Sequence, residues 1–130
     1  MSPVATAISL DHLVLTVRDL HATVTFYERY LGMQHTSFTS KDTARQALQF
    51  GQQKINLHVS GKEFEPKADK VQPGSADLCF LIEEPVDDVL KRLRGDGIEV
   101  LEGGQVVERT GARGRLRSVY VRDPDGNLIE

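Results

Sequence analysis

The sequence predicts an α+β fold made of two copies of a β-α-β-β-β unit. Two observations carry this prediction. Segments with strand and helix periodicity occur twice in the same order, and a polar stretch with Pro and Gly, at about 61–74, separates the two sets. A chain of 130 residues is the size of one domain. We therefore expect a single domain over 1–130, with module 1 at about 9–60 and module 2 at about 75–130.

The composition is that of an ordinary soluble protein, with 39% apolar and 27% charged residues. The net charge of -3 includes no long run of one sign, which argues against nucleic acid or an anionic membrane as a partner. Residues 1–7 lack the basic start and apolar run of a signal peptide, and no segment approaches membrane length. The single cysteine excludes an internal disulfide. These features predict a cytoplasmic protein.

Module 1 opens with a strand at 9–17, in which apolar side chains alternate up to Val17. Asp19 is a good N-cap, apolar residues follow at helical spacing to Leu31, and Gly32 is the stop signal. Three further strands are predicted, at 33–39, 44–50 and 54–59.

Module 2 repeats this order. A strand at 75–82 precedes Pro85, which suits the first turn of an amphipathic helix that ends at Gly95 and Gly97. The remaining predicted segments are a short strand at 98–101, a loop rich in Gly and Arg at 103–114, and strands at 115–122 and 127–130.

The last two strands predict a β-hairpin. The segment 123–126, Asp-Pro-Asp-Gly, supplies turn chemistry between them. Glu130 follows Leu128 by two residues and should share its face. A carboxylate on the apolar face of a strand is costly unless it has a partner.

Four metal-ligating residues occupy strands at matching places in the two modules. His12 and Asp77 lie in the first strands, and His58 and Glu130 lie in the last strands. The two pairs are separated by 65 and 72 residues, which agrees with one repeat length and a loop difference. If a pseudo-two-fold axis relates the modules, all four residues converge near it. Two imidazoles and two carboxylates suit a divalent transition metal and leave positions for water or substrate.

Each of these residues also has an ordinary interpretation. A histidine on a strand is commonly exposed or hydrogen-bonded in the core, and Asp77 can cap the start of its strand. His21 and His35 have no repeat equivalents and are interpreted as solvated. Cys79 is interpreted as a small buried apolar residue.

Several segments resemble the vicinal oxygen chelate (glyoxalase/bleomycin resistance/dioxygenase) superfamily, most closely small proteins of the glyoxalase-domain-containing protein 5 type. The resemblance covers about 9–130 and is carried by LDHLVLTVRDL, FYERYLGM, KINLH, GSADLCF and RDPDGNLIE. It implies paired βαβββ modules forming a curved, U-shaped mixed sheet around a central cleft. It also implies one divalent metal per site (Ni, Co, Zn, Mn or Fe), held by His12, His58, Asp77 and Glu130. Glyoxalase I typically has Glu where His58 stands and His where Asp77 stands, so these two ligands look exchanged in position.

A metal that chelates two neighbouring substrate oxygens stabilises the enediolate formed when a proton leaves the adjacent carbon. The hypothesis is therefore a metal-dependent glyoxalase-like lyase or isomerase acting on a small carbonyl or hydroxyacid compound, including a thiol conjugate. Glu130 is the candidate catalytic base, and Asp77 has an alternative role in orienting His12. The arginines within 109–117 either flank the cleft and favour an anionic substrate or are solvated loop residues.

Three alternatives stay open: a metal-free binding protein of the bleomycin-resistance kind, a thiol transferase of the fosfomycin-resistance type, and an extradiol dioxygenase. The metal-free binding protein needs no ligands, so four candidate ligands argue against it. The thiol transferases and the dioxygenases usually have His where Asp77 stands. The exposed edges of two small modules further predict a homodimer.

Overall fold

The computed structural model describes all residues from Met1 to Glu130. It contains two α-helices, nine β-strands and a short 3₁₀ turn at Glu102–Gly104. The elements are β1 His12–Val17, α1 Leu20–Leu31, β2 Gln34–Ser40, β3 Thr43–Phe50, β4 Gln53–Val59, β5 Asp77–Leu78, α2 Val86–Gly95, β6 Val107–Gly111, β7 Gly114–Ser118, β8 Val121–Arg122 and β9 Leu128–Ile129.

The two modules have the same strand pairing. In module 1 the order is β1-β4-β3-β2, with β1 parallel to β4 and the other pairs antiparallel. In module 2 the order is β5-β9-β8, again with the first strand parallel to the last, while β6 and β7 form a separate antiparallel pair. β7 and β8 are interrupted by two residues only, 119–120. The predicted α+β fold of paired modules with mixed sheets is confirmed.

Helix α1 has the ends that the sequence predicts. The Asp19 side chain accepts a hydrogen bond from the Ala22 N–H at 3.0 Å, which satisfies a donor that the first turn leaves free. Gly32 ends the helix in the left-handed conformation, at φ 62°. Neither α1 nor α2 combines the length and apolar character that a membrane-spanning helix needs.

One hydrophobic core joins the two modules. The side chains of β1 and β4 that face α1 are buried together with residues from the end of module 2. Because Leu93 of α2 and Val121 and Ile129 of the last hairpin belong to the same cluster, burial of apolar surface holds the modules together. The other buried members are Leu15, Val17, Val24, Phe26, Tyr27, Met33, Leu48, Ile55 and Leu57.

The turn of the last hairpin is buried and hydrogen-bonded. The Asp123 carboxylate accepts from the Tyr27 hydroxyl at 2.7 Å and from Asn127 Nδ2 at 2.8 Å. It also accepts from the backbone N–H groups of Asp125 and Asn127. The Arg18 backbone N–H donates to Asp125 Oδ1 at 3.0 Å. Helix α1 and the end of β1 are therefore fastened to the turn of module 2.

Three sequence expectations are wrong in module 2. The strand predicted at 75–82 is formed only at 77–78, although backbone hydrogen bonds to the last strand extend from Ala76 to Phe80. The segment 98–101 forms no strand, although the Leu101 N–H donates to the Tyr120 carbonyl at 2.9 Å. The predicted loop at 103–114 contains β6, whose partner β7 follows after a tight turn. The Gly and Arg residues of 103–114 interrupt the apolar alternation, so the sequence pattern did not indicate this strand.

Candidate functional site

The first sheet has a face that carries polar side chains. On β1 the side chains of Leu13, Leu15 and Val17 pack against the core, and alternation directs those of His12, Val14 and Thr16 to the opposite side. We call that side the open face of the first sheet. Residues paired in register share a face, which adds Lys54, Asn56 and His58 of β4 and Arg45, Ala47 and Gln49 of β3.

His12 and His58 lie at opposite ends of this open face. His12 pairs with Lys54, whereas His58 pairs with Thr16, four residues further along the strands. This offset is about 13 Å at the usual rise per residue. Because side chains stand nearly perpendicular to a sheet, the two imidazoles of one chain do not meet.

His12 is oriented by its neighbour. Its Nδ1 lies 2.8 Å from the Asp11 carboxylate, and because a carboxylate only accepts, Nδ1 is the donor. Nε2 is then the ring nitrogen that is left to bind a metal. A carboxylate on the other ring nitrogen is common for metal-ligating histidines.

The second sheet brings Asp77 and Glu130 together. Asp77 pairs with Leu128, so Glu130 is a diagonal neighbour on the same face, with Cα atoms roughly 8 Å apart by ordinary sheet spacing. We call this the open face of the second sheet. Cys79 shares this face, opposite Glu130 by continuation of the register, and it is exposed, which corrects the expectation of a buried apolar residue.

Glu130 has the hydrogen-bond partners that its position requires. Its Oε2 accepts from the Ser118 hydroxyl at 2.7 Å. Burial and hydrogen bonding to Glu130 raise the pKa of the Tyr120 phenol, while Arg109 acts in the opposite direction. Burial and the Glu130 carboxylate also raise the pKa of the Cys79 thiol. Both groups therefore stay protonated at neutral pH beside the carboxylate.

The register corrects the predicted equivalence of His58 and Glu130. Asp77 pairs with Leu128, and Glu130 follows two residues later. His12 pairs with Lys54, and Asn56 follows two residues later. Asn56 is thus the repeat equivalent of Glu130, and His58 is displaced by two residues. The assignment of His58 as a metal ligand therefore loses the equivalence on which it was based.

The four predicted ligands do not converge within one chain. No group of three or more His, Cys, Asp or Glu side chains is close enough to hold an ion. One chain brings together Asp77 and Glu130, and places His12 on a different sheet. His21 and His35 are exposed, as expected, and His35 contacts Gln46 at 2.7 Å.

His58 belongs to a different cluster, which sequence reasoning missed. It is 7% exposed, and its ring packs edge-on to Phe64 with centroids 5.4 Å apart. The Arg45 guanidinium lies 3.7 Å from the centroid of the same Phe64 ring. Burial, and then the charge of Arg45, lower the pKa of His58, while Glu63 opposes them. The available signal was the alternation of Asn56 and His58 with apolar residues along β4.

The lowered pKa of His58 predicts a specific loss of folding stability in acid. The unfolded chain takes up a proton at His58 near its usual pKa of about 6.5, whereas the folded chain resists it, so stability falls as the pH drops below that value. We expect the urea midpoint of the wild type to fall more than that of His58→Gln between about pH 7.5 and 5.5. His21→Gln, an exposed position on α1, is the control and should keep the wild-type pH dependence. An unchanged pH dependence in His58→Gln would contradict the assignment.

A cavity of about 580 Å³ lies beside Glu130. Most of its wall is apolar and comes from α1, α2 and the exposed segment 79–82, with Arg117 and Ser118 at one side. Arg117 is paired with Asp87 at 2.8 Å, and Arg109 donates to Tyr120 and Glu102. These two arginines of the segment 109–117 are therefore engaged within the chain.

The comparisons with known proteins agree with this architecture. Residues 9–130 match the model of the Glyoxalase/Bleomycin resistance protein/Dioxygenase superfamily. The chain is 54% identical to virulence protein STM3117 of Salmonella typhimurium, over 93% of this chain and 81% of that protein. The crystal structure of STM3117 aligns with a TM-score of 0.89 over 96% of this chain and 95% of the other, at 51% identity.

Two further relatives extend the comparison. The chain is 57% identical to the glyoxalase domain-containing protein RDO1 of Mycosarcoma maydis, over 94% of this chain but only 66% of that longer protein. A structure of the fosfomycin resistance protein FosX of Listeria monocytogenes aligns with a TM-score of 0.60 at 22% identity, over 95% of this chain and 88% of the other, which shows the shared fold alone. With paired modules of the same strand order and a family match across nearly its whole length, the chain belongs to the glyoxalase/bleomycin resistance/dioxygenase (vicinal oxygen chelate) superfamily.

Proposed function

We propose that this protein is a divalent-metal-dependent lyase or isomerase, acting on a small molecule that carries two neighbouring oxygen atoms. One observation carries the proposal: His12 has a free Nε2 on one open face, and Asp77 and Glu130 are neighbours on another. An imidazole and two carboxylates suit Mn, Fe, Co, Ni or Zn. FosX of Listeria monocytogenes, whose crystal structure holds Mn(II), has the same fold.

The ligands meet only if a second copy completes the site. In the proposed homodimer, His12 of one copy faces Asp77 and Glu130 of the other. Both β1 and β5 lie at the edge of their sheets, and an unpaired edge favours association. Large apolar side chains beside these edges are exposed, namely Leu10, Val14, Leu81 and Ile82. Lys54 on the first open face complements the carboxylates of the second.

The residues then have distinct roles. His12, kept in one tautomer by Asp11, and Asp77 would hold the ion, and Glu130, whose Oε2 accepts from Ser118, would contribute a carboxylate oxygen. A bound divalent ion polarises the neighbouring oxygens of a substrate and makes the adjacent carbon more acidic. Glu130 removes the proton from that carbon, while Ser118 and Tyr120 keep its carboxylate oriented. The apolar wall of the adjoining cavity excludes water.

Mixed dimers test the shared site. His12→Ala and Glu130→Ala chains should each bind no metal tightly, because every site in either homodimer lacks one ligand. When the two chains are unfolded together and refolded as a mixture, each heterodimer contains one site with all ligands intact. We expect elemental analysis of the heterodimer, isolated through two different affinity tags, to find one ion per dimer.

His58→Gln is the matched control for this experiment. It removes an imidazole from the same open face without removing a proposed ligand, so its metal content should equal that of the wild type. Light scattering at tens of micromolar should give the mass of a dimer for every variant. Heterodimers without metal, or a monomeric mass for the wild type, would rule out the shared site.

A binding protein without chemistry is the second candidate. The cavity beside Glu130 favours it, since a volume of about 580 Å³ with mostly apolar walls is ordinary for a small-molecule site. The two candidates differ in the effect of Glu130→Gln, because turnover needs a base and binding in the apolar cavity does not.

A further inference from the structure

Three polar atoms on the open face of the first sheet are buried without a partner. They are Nε of Arg45, Oδ1 of Asn56 and Nδ1 of His58. Buried polar atoms in folded proteins are nearly always hydrogen-bonded, because leaving one unpaired costs about 1–3 kcal/mol. The three residues also occupy neighbouring strands on one face: Ala47 pairs with Asn56, so Arg45 stands beside His58. Three unpaired atoms on one small patch indicate a place where a ligand supplies the missing bonds.

The charges of the patch favour an anion. Arg45 forms no ion pair, and its guanidinium is held flat against Phe64. Glu63, a carboxylate whose charge acts on His58, accepts from the Gly61 backbone N–H at 2.9 Å and 3.0 Å. Burial keeps His58 neutral, since its pKa is lowered. The ring therefore has one nitrogen that donates and one that accepts.

The unpaired Oδ1 of Asn56 restricts the chemical groups that the ligand can carry. Asn56 Oδ1 accepts hydrogen bonds, and a carboxylate has no hydrogen to donate. A hydroxyl next to the carboxylate can donate to Asn56 and accept from His58, while the carboxylate binds Arg45. We propose that Arg45, Asn56 and His58 form a recognition site for the α-hydroxycarboxylate group of a small molecule.

This inference deepens the proposed function, because it assigns the cluster to the same substrate as the metal. Asn56 is two residues along the strands from the partner of His12, which places it roughly 8 Å from His12. The substrate would therefore have its anionic end at this cluster and its reacting carbon nearer the His12 end of the face.

Binding to the metal-free protein tests the inference separately from the metal site. The chain has four histidines, and the imidazole resonance of His58 is identified by its absence from the spectrum of His58→Gln. In the presence of a chelator, at constant ionic strength and neutral pH, glycolate should shift this resonance in a saturable way. Acetate, which lacks the hydroxyl, should bind roughly 5-fold more weakly. Ethylene glycol, which lacks the charge, should cause no shift.

Two variants separate recognition from folding. Arg45→Met keeps an apolar stem on Phe64 and should weaken glycolate roughly 10-fold or more, the loss expected for a charge-assisted hydrogen bond. Arg115→Met removes an exposed arginine from β7 and should leave the affinity unchanged. Asn56→Leu should reduce the preference for glycolate over acetate, because the ligand hydroxyl then keeps only its bond from His58.

Equal affinity for glycolate in Arg45→Met and wild type would overturn the inference, as would the absence of any His58 shift. Either result leaves the metal content of the mixed dimers untouched, so a failure here is distinguishable from a failure of the proposed function.

Discussion

Glu130→Gln should lower turnover by roughly 10²–10⁴-fold, the usual effect of losing a general base, while metal content and thermal stability change little. The glutamine keeps the shape of the side chain and one oxygen that can bind a metal, and it can still accept from Ser118 at the same position. It cannot take up a proton from a substrate carbon. We therefore expect Glu130→Gln to impair proton abstraction and to leave folding unchanged.

The measurement requires a substrate. Small hydroxy-acids and epoxy-acids, and adducts of α-ketoaldehydes with thiols, are to be screened against the metal-loaded protein. Glu99→Gln, at an exposed glutamate outside the site, is the matched control and should retain the wild-type rate. If Glu130→Gln turned over at the wild-type rate, the base would be another group, and Glu130 would be a ligand only.

Asp123→Ala should have the largest effect on stability, lowering the free energy of unfolding by about 3–4 kcal/mol. Asp123 is 5% exposed, and its carboxylate accepts from a phenol, an amide and two backbone N–H groups. Its removal leaves these donors buried without an acceptor. The Tyr27 hydroxyl stays protonated and keeps its unsatisfied donor, because burial alone raises the pKa of the phenol above its usual value.

Urea and thermal unfolding followed by circular dichroism measure this effect, and a loss of that size lowers the melting temperature by roughly 10–15 °C. Tyr27→Phe removes only one of the donors and should cost about 1–2 kcal/mol, so it remains measurable if Asp123→Ala does not fold. Asp69→Ala, at an exposed residue between the modules, should change stability little. A fully stable Asp123→Ala would show that the turn does not fasten the modules together.

The elements with strong local signals were predictable. Helix α1 begins after Asp19 and ends at Gly32 because a short side chain and a residue without Cβ meet the needs of these termini directly. The four strands of module 1 and the last hairpin also follow from alternation and turn chemistry. β6 was missed, because its apolar signal is weak and its pairing with β7 decides its structure.

For the candidate site, the sequence by itself determined which chemical groups are available: imidazoles and carboxylates on the first and last strands of two modules. Only the tertiary structure decided which of them can act together. The strand register aligns Asn56, and not His58, with Glu130. Sequence spacing does not reveal this two-residue shift, because the loop lengths of the two modules differ. Aromatic packing places His58 and Arg45, which are 13 residues apart in the chain, against the same Phe64 ring, and the pairing of β3 with β4 brings them to one place on the sheet.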